Sequence, residues 1–309
     1  MALLWALVTA MADAIGDVMM GKISKTSNPI LASVPLAVVM ILLFFIASLF
    51  GSSLHFDSAS LLYGTPIGIL LAIANILFYK AMAIGPMAMV SVTSSLAPLL
   101  PLGFDVLTGN APNAVQATSF ALMVAGICLV ASHRESTTST LTKSIRAMSP
   151  LPMAIASATL YGLIDILFEL GDTSNMLGLL MVIQIAKLIT TIPLAAFVIE
   201  RNGRERIPVV KTIPAGLVYA IGWIVLYLSA RQGEIDITSA LEYTSPFFVA
   251  ILAYFYVDER LSRLQISGLL AVFAGILVLT LYSHHHPEMP QICGHHPKSI
   301  HHHCAPRLR

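Results

Sequence analysis

YKAMAIGPMAMVSVTSSLAP, residues 79–98, has a second copy in YLSARQGEIDITSALEYTSP, residues 227–246. Tyr79 aligns with Tyr227, Gly85 with Gly233, Ser91 with Ser239 and Pro98 with Pro246, each pair 148 residues apart without a gap. In both copies an apolar segment ends at a glycine turn, and a second one follows that carries serines and a proline. Hydrocarbon offers no partner for a carbonyl freed by proline, so such a helix needs protein or cavity water beside it. Pro98 and Pro246 are therefore expected helix breaks. Proline-interrupted segments at matching places in two halves of a membrane protein point to a transport site.

The composition sets the solvent. Hydrophobic residues make up 57% of the 309-residue chain and charged ones 11%, against about 45–50% and 25% in soluble domains. The apolar residues come in runs near the ~20 needed to cross a bilayer as a helix. The net charge of +1 carries no nucleic-acid signal, and three cysteines make no disulfide framework. The N-terminal segment lacks a basic leader and holds two aspartates, so it reads as a first span rather than a cleaved signal.

Ten spans are expected, at about 3–21, 30–50, 61–84, 87–107, 114–132, 151–170, 176–199, 209–230, 237–257 and 266–282. The repeat runs through them. At the 148 offset Thr9 pairs with Ser157, Asp17 with Asp165, Pro66 with Pro214 and Gly68 with Gly216. After a one-residue slip Gln116 pairs with Gln265 and Gly126 with Gly275. The expected fold is all-α and integral to the membrane: two inverted five-helix repeats around a central cavity. Residues 1–132 form the first repeat, 133–149 a polar linker, 150–282 the second repeat and 283–309 a His-rich disordered tail. An odd number of helices per repeat forces the second copy to sit inverted. Lys22, Lys25, the linker's basic residues, Arg201, Arg204, Arg206, Lys211, Arg260 and Arg263 then fall on one face, which the positive-inside rule makes cytoplasmic. Both termini would lie outside.

Charges inside spans cost about 2.5–3.5 kcal/mol at mid-helix, so each needs a cavity or a partner. Thr9, Asp13 and Asp17 share a helix face, as do Ser157, Tyr161, Asp165 and Glu169. The two stripes are repeat-equivalent and would face a common space, with Asp17 or Asp165 as a proton or cation site. The plainer alternative is that Asp17 and Glu169 sit near helix ends and reach water. Lys187, with Gln184 one turn before it, is too deep to snorkel easily. It suits a substrate carboxylate, or a pair with Asp165, Asp13 or Glu242, against the alternative of a fixed structural ion pair. Glu242 stands where the first half has Ser94, and Trp223 and Tyr227 stand where it has Asn75 and Tyr79. These six join the candidate substrate-binding set, although an aromatic stripe at helical spacing is also ordinary packing.

After residue 282 the chain holds eight histidines. His284, His285, His286, His301, His302 and His303, with Cys293 and Cys304, offer imidazole and thiolate to zinc, copper or nickel. Their spacing matches no closed site, and incidental metal affinity is the expectation. No cofactor is expected.

FYKAMAIGPMAMVSVTSSLAPLL, residues 78–100, and the run from Leu226 through Asp258-Glu259-Arg260, Gln265, Gly268 and Gly275 resemble the drug/metabolite transporter (DMT) superfamily, specifically its EamA-like ten-helix branch. The first half departs from the pattern, with Gly109-Asn110-Ala111-Pro112 in place of the acidic-Arg loop. The resemblance implies a secondary transporter, often an exporter of amino acids or other small metabolites; with the carboxylate stripes, the expectation is alternating access in the plasma membrane, with a proton or the substrate amine on the carboxylates. It also implies cytoplasmic termini, opposite to the charge count. The expected partners are a small-molecule substrate and the lipid bilayer, not nucleic acid, with the protein a monomer or homodimer. A divalent-metal transporter with a metal-binding tail is the alternative, although the spans hold no histidine. A membrane-embedded enzyme has little support, since the chain shows no His-rich box in the spans, no nucleophile–base spacing and no phosphate loop.

Overall fold

The computed structural model describes residues 2–51, 55–108, 113–132, 149–171, 175–202, 205–231 and 242–285. Eleven helices account for nearly all of them, with no strand among the described residues: α1 (Ala2–Thr26), α2 (Pro29–Gly51), α3 (Ser58–Ile84), α4 (Met87–Ser94), α5 (Leu99–Leu107), α6 (Ala114–Ser132), α7 (Pro150–Leu170), α8 (Met176–Asn202), α9 (Val209–Arg231), α10 (Ser245–Val257) and α11 (Arg263–His285). Seven segments are long and apolar enough to cross a membrane: α1, α2, α3, the α4–α5 stretch Met87–Phe104, α7, α8 and α9. Ala114–Val130, Ser245–Val257 and Arg263–Val278 are apolar but shorter.

Burial is arranged for lipid. Leu49, Phe50, Ile189, Phe197, Val210 and Phe255 are exposed, whereas Thr9, Asp13, Asn75, Ser91, Gln184 and Lys187 are buried. A surface this apolar over a polar interior fits a hydrocarbon surround. This is a multi-pass integral membrane protein.

The fourth span is not one helix. It runs as α4, a tight turn over residues 95–98, and α5. Through the turn the bonds shorten to the three-residue kind: Ser95 N–H donates to Val92 O, Leu96 to Thr93 O and Ala97 to Ser94 O. Pro98 has no N–H to give, and α5 restarts directly after it. In the second half α10 starts at Ser245, with Pro246 in its first turn. The two restarts fall at matching places in the repeat. The expected ninth span begins within residues 232–241, outside the described residues.

The repeats are interleaved. α1 packs on α9, and its counterpart α7 packs on α3. Ser157 Oγ donates to Ala74 O at 2.9 Å, and Thr9 Oγ1 to Gly222 O at 3.5 Å. These are one hydrogen bond made twice, since Thr9 corresponds to Ser157 and Ala74 to Gly222. The equivalent helices α6 and α11 run antiparallel where they meet. α6 crosses α11 with Gly126 against Gly268 and Val272, and Ser119 and Met123 against Gly275. A Cβ on Gly126 would come 2.5 Å from Gly268 O, and one on Gly275 2.8 Å from Ser119 O. Gly126 and Gly275 are repeat partners, as are Ser119 and Gly268, so both approaches are related by one two-fold axis. Only glycine lets the backbones come so near.

One face is tied by a cluster joining both halves. Glu259 accepts from Met87 N–H at 2.9 Å and Ala88 N–H at 3.2 Å. It also pairs with Lys25 at 3.3 Å, while Lys22 Nζ donates to Tyr256 O at 3.0 Å. The left-handed turn at Asp258, with φ 58°, brings Glu259 round to the start of α4. On the opposite face Asn175 Nδ2 donates to His55 O at 2.8 Å, joining the loop after α2 to the start of α8.

Candidate functional site

Helices α1, α3, α7 and α9, with residues 242–243 ahead of α10, enclose a group of carboxyls and tyrosines. Asp13 and Asp17 lie one turn apart on α1. Asp13 is 8% exposed, and its Oδ1 has no hydrogen-bond partner. Its carboxyl faces those of Glu242 and Asp17. Asp17 accepts from the hydroxyl of Tyr219 on α9, and that hydroxyl shares a 2.7 Å bond with the hydroxyl of Tyr79 on α3. The chain Tyr79–Tyr219–Asp17 therefore links three helices. Gly16 leaves room for the Tyr219 ring, since a Cβ there would come within 2.7 Å of it.

The α7 side repeats the theme with different residues. Asp165 accepts from the hydroxyl of Tyr243, and Glu242 is close enough to act on Asp165 electrostatically. Four residues earlier on α7, Tyr161 OH donates to Asn75 Oδ1 at 2.7 Å, and Phe78 packs its edge on the Tyr161 ring at 6.1 Å. Trp223 and Tyr227 are half-buried against the same core. Thr9 and Ser157, at the other end of each stripe, spend their hydroxyls on helix packing rather than facing a solute.

Of the expected site residues, Asp13, Asp17, Asn75, Tyr79, Tyr161, Asp165 and Glu242 come together here. Ser94 lies at the α4 break, where its Oγ donates to Ser91 O at 2.5 Å. Neighbouring Ser91 and Ser95 keep buried hydroxyls without a partner. Gln184 and Lys187 are elsewhere: α8 packs against α2 and α3, not among the carboxyls. Among the described residues the one ion pair is Lys25–Glu259, so the expected pairing of Lys187 with Asp165, Asp13 or Glu242 is not made. The helix packing puts it on another side of the bundle.

Two tyrosines were missing from the expected set. Tyr219 lies one helical turn before Trp223 and carries no mark in the sequence beyond extending the aromatic stripe of Trp223 and Tyr227. Tyr243 stands where the first half has Ser95, and that swap, beside Ser94 to Glu242, was its one signal. Among the described residues no group of three or more His, Cys, Asp or Glu is placed to hold a metal. His284 and His285 end α11, and His286, Cys293, His301, His302, His303 and Cys304 lie outside the described residues.

No curated protein matches the chain. A solved crystal structure shares the fold at 17% identity and a TM-score of 0.62, covering 92% of this chain and 98% of that one. The EamA-like transporter family matches twice, over residues 1–132 and 148–281. Those matches lie on either side of residues 133–147 and take in every residue of the carboxyl–tyrosine group. The chain therefore belongs to the EamA-like transporter family, a branch of the drug/metabolite transporters.

Proposed function

We propose that this transporter is a proton-coupled exporter of a small organic metabolite bearing an amine, such as an amino acid, in the plasma membrane. The observation that carries the reading is the pair Asp17 and Asp165. They are repeat-equivalent carboxyls inside the bundle, one held by Tyr219 of α9 and the other by Tyr243 just ahead of α10. A carboxyl that exchanges a tyrosine bond for a proton or an ammonium is a coupling element, and two of them related by inversion suit alternating access. Asp13 and Glu242 add two carboxyls for the substrate amine. Asn75, Tyr79, Ser94, Tyr161, Trp223 and Tyr227 supply polar and aromatic surface for the remainder.

The shorter helices α6, α10 and α11, taken with the seven longer segments, complete ten crossings. In this scheme Glu259, Met87, Ala88 and Lys25 close the basic face, and the α4 and α10 restarts are the hinges about which the halves rock. The test is efflux of labelled amino acids from liposomes holding the full chain, driven by a proton gradient. Gradient-dependent flux lost in Asp17→Asn and Asp165→Asn is the expected result. Equal flux with the gradient collapsed, or in both variants, would overturn it.

A further inference from the structure

On α8, Gln184 and Lys187 lie three residues apart on one face. Gln184 is fully buried, and neither its amide nitrogen nor its amide oxygen has a partner. Lys187 is 2% exposed and makes no ion pair among the described residues. An amide and an ammonium left unbonded together inside a membrane protein are costly. The fold does not require them. In the first half Leu36 O and Val39 meet Gly216 of α9, and the next positions along, Ala37 and Met40, are buried and apolar and stand as the counterparts of Gln184 and Lys187. Gly68, the partner of Gly216, meets the same stretch of α8 at Ile183 and Ala186. One packing arrangement is thus built twice, and only one copy carries a cation and an amide.

We infer that Gln184 and Lys187 form a carboxylate-binding subsite, separate from the carboxyl–tyrosine group, whose occupant supplies the acceptors both side chains lack. An ammonium has three donors and an amide has two, with one acceptor besides. A carboxylate oxygen held by Lys187 and its neighbour held by the Gln184 N–H satisfies both ends of the ligand. The Gln184 carbonyl, one helical turn before Lys187, is then free to orient the ammonium. Nothing in this depends on transport: the anion is bound whether or not it is carried.

The experiment measures thermal unfolding of the full chain in detergent against sodium acetate, sodium chloride, glycine and methylamine at constant ionic strength. Wild type is expected to show a saturable rise in Tm with acetate, and Lys187→Met an apparent affinity at least tenfold weaker. Glycine acting like acetate would identify the carboxylate of an organic solute as occupant. Chloride acting like acetate, with the response lost in Lys187→Met, would identify a free anion at the same subsite. Gln184→Glu supplies an internal carboxylate, so it should raise the unliganded Tm and remove the acetate response. An acetate response equal in wild type, Lys187→Met and Gln184→Glu overturns the inference, as does the absence of any response in wild type. Acetate binding without liposome flux would sink the transport reading and leave the subsite standing; flux without acetate binding would do the reverse.

Discussion

Asp17 and Asp165 occupy the same place in the two repeats, yet both are held by tyrosines of the second repeat that the first repeat lacks. Tyr219, the donor to Asp17, stands where the first repeat has Leu71. Tyr243, the donor to Asp165, stands where it has Ser95. The backbone repeats and the bonding of its carboxyls does not, so in the coupling scheme proposed above the two sites would release a proton or an amine under different conditions.

Removing either hydroxyl tests that asymmetry. Hydrogen bonds to charged groups are worth about 1.5–3 kcal/mol, or roughly ten- to a hundredfold in an equilibrium. Tyr219→Phe and Tyr243→Phe should each change gradient-driven flux by about that factor and leave the fold intact. Tyr219→Phe should have the larger effect, because it also breaks the bond to Tyr79. Flux in both variants within twofold of wild type would show that the tyrosines only pack.

The Glu259 clamp makes a separate prediction. Loss of an acceptor at a helix start costs about 0.5–2 kcal/mol, whereas an exposed ion pair contributes about 0–1 kcal/mol. The side chains of the Lys25–Glu259 pair are 34% and 14% exposed. Glu259→Ala should therefore lower stability more than Lys25→Ala in paired unfolding measurements. In a background without Cys128, Cys293 and Cys304, a Ser91→Cys thiol should label faster once Glu259 is removed. Unchanged labelling would mean that the clamp does not hold this face shut.

Close packing at the axis can be read by volume. Gly126→Val drives a side chain into Gly268 O and should destabilise by about 1–3 kcal/mol. Gly103 has nothing within 4 Å of an added Cβ. Gly103→Ala should be neutral or stabilise by about 0.5–1 kcal/mol, since it only stiffens a helix. Equal losses of Tm in the two variants would refute the close approach of α6 and α11.

At the opposite face Asp57 starts α3. Its carboxylate accepts from Ser60 N–H at 3.0 Å, and the bonds from Ser60 hold it below the usual carboxylate range. A carboxylate lowered on folding contributes stability above its unfolded value of about 3.9, and that contribution fades as pH falls through the lowered value. Asp57→Ala should thus reduce Tm at neutral pH, and the gap to wild type should shrink below about pH 4. A gap independent of pH would mean that the cap is not electrostatic.

Much of this was legible in the sequence because repetition is a one-dimensional signal. The helical breaks at Pro98 and Pro246, the matched glycines 126 and 275, and the stripes of Asp13, Asp17 and Asp165 could all be placed by aligning the chain with itself. What could not be placed was which helix stands beside which. Lys187 looked like a partner for the carboxyls because both lie deep in apolar runs, but depth does not fix azimuth, and α8 turns to α2 and α3. Tyr243 escaped for the converse reason. It sits outside any apolar periodicity, and only the path of the chain from Glu242 into α10 carries its hydroxyl to Asp165.

The hydrogen bond that Thr9 makes to Gly222 and Ser157 makes to Ala74 has a consequence beyond packing. A contact in which patch i meets j while j meets i is isologous. Each half thus presents to the other the surface that a second copy of itself, inserted upside down, would need. Were the 133–148 connection cut, the two pieces should find each other again as an antiparallel pair.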